Sequence, residues 1–298
     1  MKNYLLFAAY LFFSAPVWAC FHFSKDFRGQ LREGKQEFLV FHDGENAHMV
    51  LKTELSAEKY PKEIAWVVPF PSVPSKYQEV EGPLFQEIQE LFSPDEDNLL
   101  AEARDGGFGN VKSAKGIKVH EVVTAGDYKV QPIEILSEDG GEELNQWLTK
   151  NKFNPMPKEK QMRYLKKGAA FLAIRMSMNR PNAYTLKSRP LHVTYKSTDI
   201  SVPLLFTHDG REFDASIYVY TQRENKEKLS RFYLDTHDSR QYAREHKRPI
   251  LENMIGDKSG WITRYSGTGL NSKNKKLTLL TEDPTFKSCD LLNLKKCP

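Results

Sequence analysis

The chain has 298 residues, 40% of them hydrophobic and 28% charged, and a formal net charge of +4. That is enough apolar material for one large or two small globular units with a core, which excludes a disordered chain. The charge is uneven: from Arg223 onward, 16 Lys plus Arg face 10 Asp plus Glu, giving +6, whereas residues 20–222 carry −3.

Residues 1–19 read as a secretory signal peptide. Lys2 precedes an unbroken apolar segment from Tyr4 to Phe13, and Ser14 to Ala19 supply small residues at the cleavage positions Val17 and Ala19. The apolar core is short for a membrane helix, and no later segment approaches the roughly 18 to 20 apolar residues that a span requires. An exported mature chain without a transmembrane span is therefore expected.

Cleavage after Ala19 makes Cys20 the first mature residue, and two uses of it stand open. One is acylation as a lipoprotein, to which the bulky Trp18 is a poor fit. The other is a disulfide that staples the N-terminus. The mature chain has three cysteines, Cys20, Cys289 and Cys297, so one thiol is left over from any pairing. Cys289 and Cys297 flank a short loop that an oxidising compartment would close, leaving Cys20 for lipid; alternatively Cys20 pairs with one of them. Spacing alone does not choose. Terminal cysteines without a neighbouring histidine do not suggest a catalytic thiol.

In chain order, Glu37–His42 and Ala47–Leu55 are β-type runs joined by Asp43-Gly44-Glu45-Asn46, a hairpin signature. His42 and His48 sit beside that turn with Asp43 and Glu45. A metal site there lacks a third ligand at the usual spacing, so the pair reads as surface histidines. Ile64 and Trp66–Val68 then form a run without polar alternation, as a strand buried on both faces does. Pro69, Pro71 and Pro74 lack N–H groups, so the ladder is expected to stop there and the chain to leave extended.

Leu84, Phe85, Ile88, Leu91 and Phe92 draw one apolar stripe on a helix. Residues 93–116 turn acidic and then glycine-rich, a loop without phosphate-cradling spacing. Ile117–Thr124 and Tyr128–Leu136 read as a strand pair around Ala125-Gly126-Asp127. Two short helices follow, one around Leu144–Leu148 and one over Pro157–Lys167 with Met162 and Leu165 inward, ended by Gly168. Phe171–Ile174, Leu191–Tyr195, Val202–Thr207 and Phe213–Thr221 read as strands. Asp238–Ile255 reads as a helix interrupted by Pro249, Trp261–Tyr265 and Leu277–Leu280 as extended, and Gly267–Lys276 as a polar loop. The fold class is α+β, mainly antiparallel sheets with a few short packing helices. The division expected is a signal peptide over 1–19, a β-rich core over 20–222 and a basic C-terminal subdomain over 223–298 packed on it.

Motifs of catalysis are missing: no G-x-S-x-G elbow, no H-E-x-x-H, no paired C-x-x-C, no dinucleotide fingerprint. His237-Asp238-Ser239 contains the three residue types of a triad, but adjacent residues do not fold onto one another as nucleophile, base and orienter. His120, His192 and His208 lie in β-type segments and read as structural. No catalytic, cofactor-binding or metal residue is assigned, and no cofactor. Lys273, Lys275, Lys276, Lys295 and Lys296 read as a solvated basic surface; peripheral contact with anionic envelope polymers or headgroups is the sharper alternative. Export and the lack of basic-aromatic motifs argue against nucleic acid.

A strand ending in Trp66-Val67-Val68-Pro69-Phe70-Pro71-Ser72 resembles the hallmark of a bacterial exported family, domain of unknown function 2330. The Asp43-Gly44 hairpin, Ala125-Gly126-Asp127-Tyr128, Leu144–Phe153, Tyr164–Met176, Arg189–Thr207, Tyr218-Val219-Tyr220, Ile262-Thr263-Arg264 and Asp283-Pro284-Thr285-Phe286 agree with it in order. Relatives commonly carry glycine after the first mature cysteine, where this chain has Phe21. Since the family keeps that cysteine in proteins that do not look like lipoproteins, the resemblance favours a structural Cys20. It implies no activity, catalytic residue or cofactor. The function expected is that of an exported envelope protein that binds or supports an unknown envelope component, the alternative being an exported hydrolase whose site leaves no sequence motif.

Overall fold

The structure is a computed structural model describing residues 21–23, 31–57, 63–80, 82–92, 116–151, 155–177, 185–207, 212–238, 249–256, 260–271, 278–279 and 282–293. The fold is α+β, with mostly antiparallel sheets and short helices. Strand β1 (Phe21–Phe23) precedes the long hairpin β2 (Leu31–His42) and β3 (Ala47–Ala57). Its turn falls where Asp43-Gly44 places it: Gly44 takes φ 108°, a conformation that suits a residue without Cβ. Next come β4 (Glu63–Phe70), β5 (Lys76–Glu79) and α1 (Leu84–Glu90), whose Leu84, Phe85 and Ile88 are buried as the stripe requires.

The acidic-to-glycine loop lies outside the described residues. Beyond it stand β6 (Ile117–Val119), β7 (Val123–Ala125), β8 (Tyr128–Ile135), α2 (Gly140–Lys150), α3 (Lys158–Met162) and β9 (Ala170–Ser177). Met162 is not inward: it is 62% exposed. Gln161 takes the inward position, donating its amide to the Gly141 carbonyl at 3.1 Å, and successive helical side chains point about 100° apart.

The chain continues through β10 (Thr185–Lys187), β11 (Leu191–Tyr195), β12 (Asp199–Ser201) and α4 (Leu204–Thr207). A strand over Val202–Thr207 is thus corrected to a short helix. Proline suits a first turn, where its missing N–H is not needed, and the Asp283 carboxylate accepts the Leu205 amide at 2.8 Å. Then follow β13 (Phe213–Thr221), β14 (Tyr233–Asp238), α5 (Pro249–Ile255), β15 (Trp261–Asn271), β16 (Thr278–Leu279), β17 (Thr285–Lys287) and α6 (Ser288–Leu291). Of the helix expected over Asp238–Ile255, Asp238 instead ends a strand, Pro249–Ile255 is helical, and residues 239–248 lie outside the described residues. β15 also runs through Gly267 to Asn271, where the sequence reads as a loop, because β13 and β16 pair with it there.

One sheet has the order β1-β4-β9-β8-β6 with β7 beside β8. The larger sheet has the order β14-β15-β13-β2-β3-β11-β5, with β10 beside β3 and β16 beside β15; β12 and β17 form a separate pair. Residues on either side of position 222 are direct neighbours in the larger sheet, from Phe213 opposite Leu270 to Thr221 opposite Trp261. β2 meets β13 in parallel, Phe38 opposite Ile217.

The two sheets share the main core. Trp66, Val68, Phe171 and Ile174 from the first lie in one cluster with Phe38, Val40, Leu51 and Ile217 from the second. The intervening Leu39 and Phe41 join a second cluster under α1 and α5, with Phe85, Ile88 and Leu251. β2 is therefore apolar on both faces, as its unalternating Phe38–Phe41 run demands. β4 extends past the first proline: Pro69 lies opposite Phe171 and Phe70 opposite Ala170. Among the described residues β1 pairs with β4 over Ile64–Trp66. Among the described residues Pro69 thus has a strand on one side only, the edge setting in which proline is tolerated.

Candidate functional site

Strand alternation puts Phe41, His48, His192 and Thr194 on the α1-facing side of the larger sheet, where β2, β3 and β11 are adjacent. His48 lies opposite Phe41 on one side and Thr194 on the other. Its ring stacks flat on Phe41, with centroids 4.5 Å apart and planes at 2°. His48 Nε2 is 3.0 Å from Asp43 Oδ2, and its Nδ1 is 3.0 Å from His192 Nε2 and 3.3 Å from Thr194 Oγ1.

Asp43 anchors this chain of groups. Its Oδ1 accepts the Glu45 and Asn46 amides, each at 2.7 Å, and its Oδ2 accepts from Asn46 Nδ2 at 3.2 Å. Burial pushes the carboxyl up, but the Asn46 amide, His48 and the Glu45 amide outweigh it and hold the group well below the usual carboxylate range. An ionised Asp43 only accepts, so His48 donates through Nε2–H, leaving Nδ1 to accept from His192 Nε2–H. Burial lowers the His48 pKa against the pull of Asp43. Burial, then the neighbouring His48 and Lys76, pushes His192 down to about 4.

His42 is tied separately. Its Nε2 lies 3.0 Å from the Ser197 carbonyl, and its Nδ1 accepts the Gly44 amide at 3.0 Å. Beside the turn a cavity of about 290 Å³ is bounded by Phe41, His42, Asp43, His48, Tyr220 and Met254. The metal-site alternative at His42 and His48 gains no third ligand: among the described residues no three His, Cys, Asp or Glu converge as a ligand set. Glu45 points its side chain to Lys196, 3.9 Å away, on the outside of the turn.

The other sequence candidates are scattered. Cys289 is buried in α6, beside a second cavity of about 250 Å³ with Arg223, Asn225 and Phe286; Cys20 and Cys297 lie outside the described residues. His120 Nε2 sits 2.9 Å from Glu134 Oε2 on β8, a structural pairing. His237 and Asp238 belong to β14, while Ser239, His208 and the five lysines lie outside the described residues. His192 is the partner that local sequence misses. It stands 144 positions from His48, and only the β3–β11 register brings the two together.

Two further clusters explain motif segments rather than chemistry. Tyr164 donates its hydroxyl to Asp283 Oδ2 at 2.6 Å, and burial pushes the Asp283 carboxyl up to about 6 despite Tyr164 and the Leu205 amide. Gly126 turns at φ 59° against Glu79, which accepts the Asp127 amide at 2.6 Å and pairs with Arg189 at 2.7 Å.

A family model described as "Uncharacterized protein conserved in bacteria (DUF2330)" matches residues 15–245. The chain belongs to this family. The matched span includes the hairpin turn, the Gly126 turn and the buried β4 strand. No curated protein matches the chain. Among solved structures, the crystal structure of baculovirus P35 shares 10% identity at a TM-score of 0.43, covering 89% of this chain and 99% of that one. A mutated baculovirus P35 after caspase cleavage shares 10% identity at a TM-score of 0.39, covering 86% and 99%. Likeness of this degree carries no functional argument. Among the described residues, no helix is long and apolar enough to cross a membrane.

Proposed function

We propose that this DUF2330 protein is an exported component of the cell envelope that acts by binding, with the cavity at the β2–β3 turn as its ligand site. The observation that carries binding over catalysis is the state of the polar groups there. Both nitrogens of His42, both of His48 and both oxygens of Asp43 already hold hydrogen bonds within the fold. A general base needs a lone pair aimed at substrate, and a nucleophile needs an accessible hydroxyl or thiol. Phe41, Tyr220 and Met254 instead supply apolar wall, the usual make-up of a ligand pocket.

Native mass spectrometry of protein isolated from its own envelope, beside a cavity-filling Met254→Trp variant, tests this. A small molecule held by the parent and lost from the variant supports the site. A molecule held equally by both, or none held by either, rejects it.

The hydrolase alternative rests on one observation: Thr194 Oγ1, His48 and Asp43 follow one another as hydroxyl, imidazole and carboxylate. Thr194 is buried, however, and His48 Nδ1 lies closer to His192. Labelling by a fluorophosphonate that disappears in Thr194→Val would establish catalysis and overturn the binding reading.

Export rests on the leader over residues 1–19, and a disulfide at Cys289, closed by Cys297 or Cys20, fits an oxidising compartment. Intact and non-reducing peptide mass analysis separates the possibilities. A lipid mass on Cys20 rules out the soluble form, and a Cys20-linked peptide rules out the lipoprotein. The basic residues after 223 are proposed to touch anionic envelope surfaces, which weakening of envelope association by salt would reveal.

A further inference from the structure

We propose that the cavity beside the β2–β3 turn takes a quaternary ammonium group, a cation that carries no N–H. It gives a ligand class to the binding reading above and rests on that reading.

Asp43 keeps its charge but has no acceptor site left. An ionised carboxylate accepts roughly four hydrogen bonds, and here all are made within the fold. Oδ1 accepts the Glu45 and Asn46 amides, and Oδ2 accepts Asn46 Nδ2–H and His48 Nε2–H. A primary ammonium or a guanidinium needs acceptors for its N–H groups and finds none on this carboxylate. A quaternary ammonium requires only the negative field and apolar contact.

No cation in the wall cancels that field. His42 donates Nε2–H to the Ser197 carbonyl and accepts the Gly44 amide at Nδ1, the bonding of a neutral ring. His48 bonds Asp43 through Nε2 and His192 through Nδ1, and burial favours its neutral form. Gln222 and Asn253 are neutral amides, and among the described residues no lysine or arginine borders the cavity. Lys76 acts on His48 and His192 from β5, and Lys196 pairs with Glu45 on the outside of the turn. An anion in the cavity would meet the carboxylate unopposed.

The remaining wall suits a large soft cation. Val40 lies opposite Val219 in the parallel β2–β13 pairing, so Phe41 and Tyr220, the next residues, are neighbours on the face under α1 and α5. Both border the cavity, with Met254 beside them. The Phe41 ring carries the His48 imidazole stacked at 4.5 Å. Aromatic faces attract cations, and quaternary ammonium ions are bound in this way where N–H donors are absent.

Methyl NMR titration of the mature chain tests the proposal, with choline, with ethanolamine and with the neutral isostere of choline in which a tert-butyl group replaces the trimethylammonium. Choline should shift the Met254 methyl and bind about tenfold tighter than either other compound. In Asp43→Asn its advantage over the isostere should shrink to under about threefold. Should that variant not fold, Tyr220→Leu decides: choline loses about fivefold in affinity and the isostere keeps its own. Equal binding of choline and isostere at Met254 overturns the cationic class while the cavity stands as a binding site. Ethanolamine binding as well as choline, or equal losses of choline and isostere in Tyr220→Leu, overturns the quaternary class. Choline that leaves the Met254 methyl unmoved overturns it too, and the Met254→Trp mass experiment then judges the cavity by itself.

Discussion

Trp66 stands at the middle of β4, 1% exposed and packed in the cluster shared by the two sheets. Truncating such a side chain removes its transfer free energy and leaves a cavity, so Trp66→Ala should cost about 3 to 5 kcal/mol by urea denaturation; a loss under about 1 kcal/mol would place the ring at the surface. Gly126 carries the opposite kind of constraint. At φ 59°, with the Glu79 side chain where a Cβ would go, Gly126→Ala should cost about 1 to 3 kcal/mol, read as a lowered midpoint with unchanged slope. The Trp66 burial was legible from the unalternating apolar run. The Glu79 contact was not, because nothing near position 126 announces a carboxylate arriving from β5.

Among the elements, α4 shows how a distant residue overrides a local pattern. Val202–Thr207 reads as a strand on β-favouring residues, yet Asp283 accepts the amide of Leu205 and the hydroxyl of Tyr164 and so ties α4 to the segment after α3. Burial raises the Asp283 pKa to about 6, so the folded state favours the protonated acid. Its contribution to stability is complete below about pH 4 and is lost as pH rises through about 6. That rise corresponds to about 3 kcal/mol. Asp283→Asn, which keeps an acceptor without the charge, should flatten that part of the stability profile, and denaturant midpoints at pH 4 and pH 7 will show whether it does. His192 contributes a slope of opposite sign over pH 6.5 to 4, so the effect of Asp283 is isolated by comparing its variant with the parent.

At the scale of the molecule, hydrophobic patterning revealed most of the strands and α1, and Asp43-Gly44 the hairpin turn, since each depends on residues a few positions apart. The order of strands, the parallel join of β2 to β13 and the meeting of His48 with His192 depend on register between distant segments, which one sequence does not display. The site was half-legible for the same reason: Asp43, His42 and His48 sit together in the chain, while His192 and Thr194 arrive only with β11. Removing residues 212–298 should leave β2 without its β13 neighbour and yield an insoluble or dimerising fragment. A soluble monomer with native β2 amide protection would show that the larger sheet does not need its C-terminal half.

The β2–β13 join also sets a timetable. Phe38 and Ile217 are 179 positions apart, so a chain synthesised from its N-terminus leaves the apolar edge of β2 uncovered until most of the polypeptide has been made. Loop closure over such a distance is slow compared with hairpin formation. An uncovered apolar strand edge favours aggregation, so the window in which a holding chaperone would be needed closes only when β13 docks.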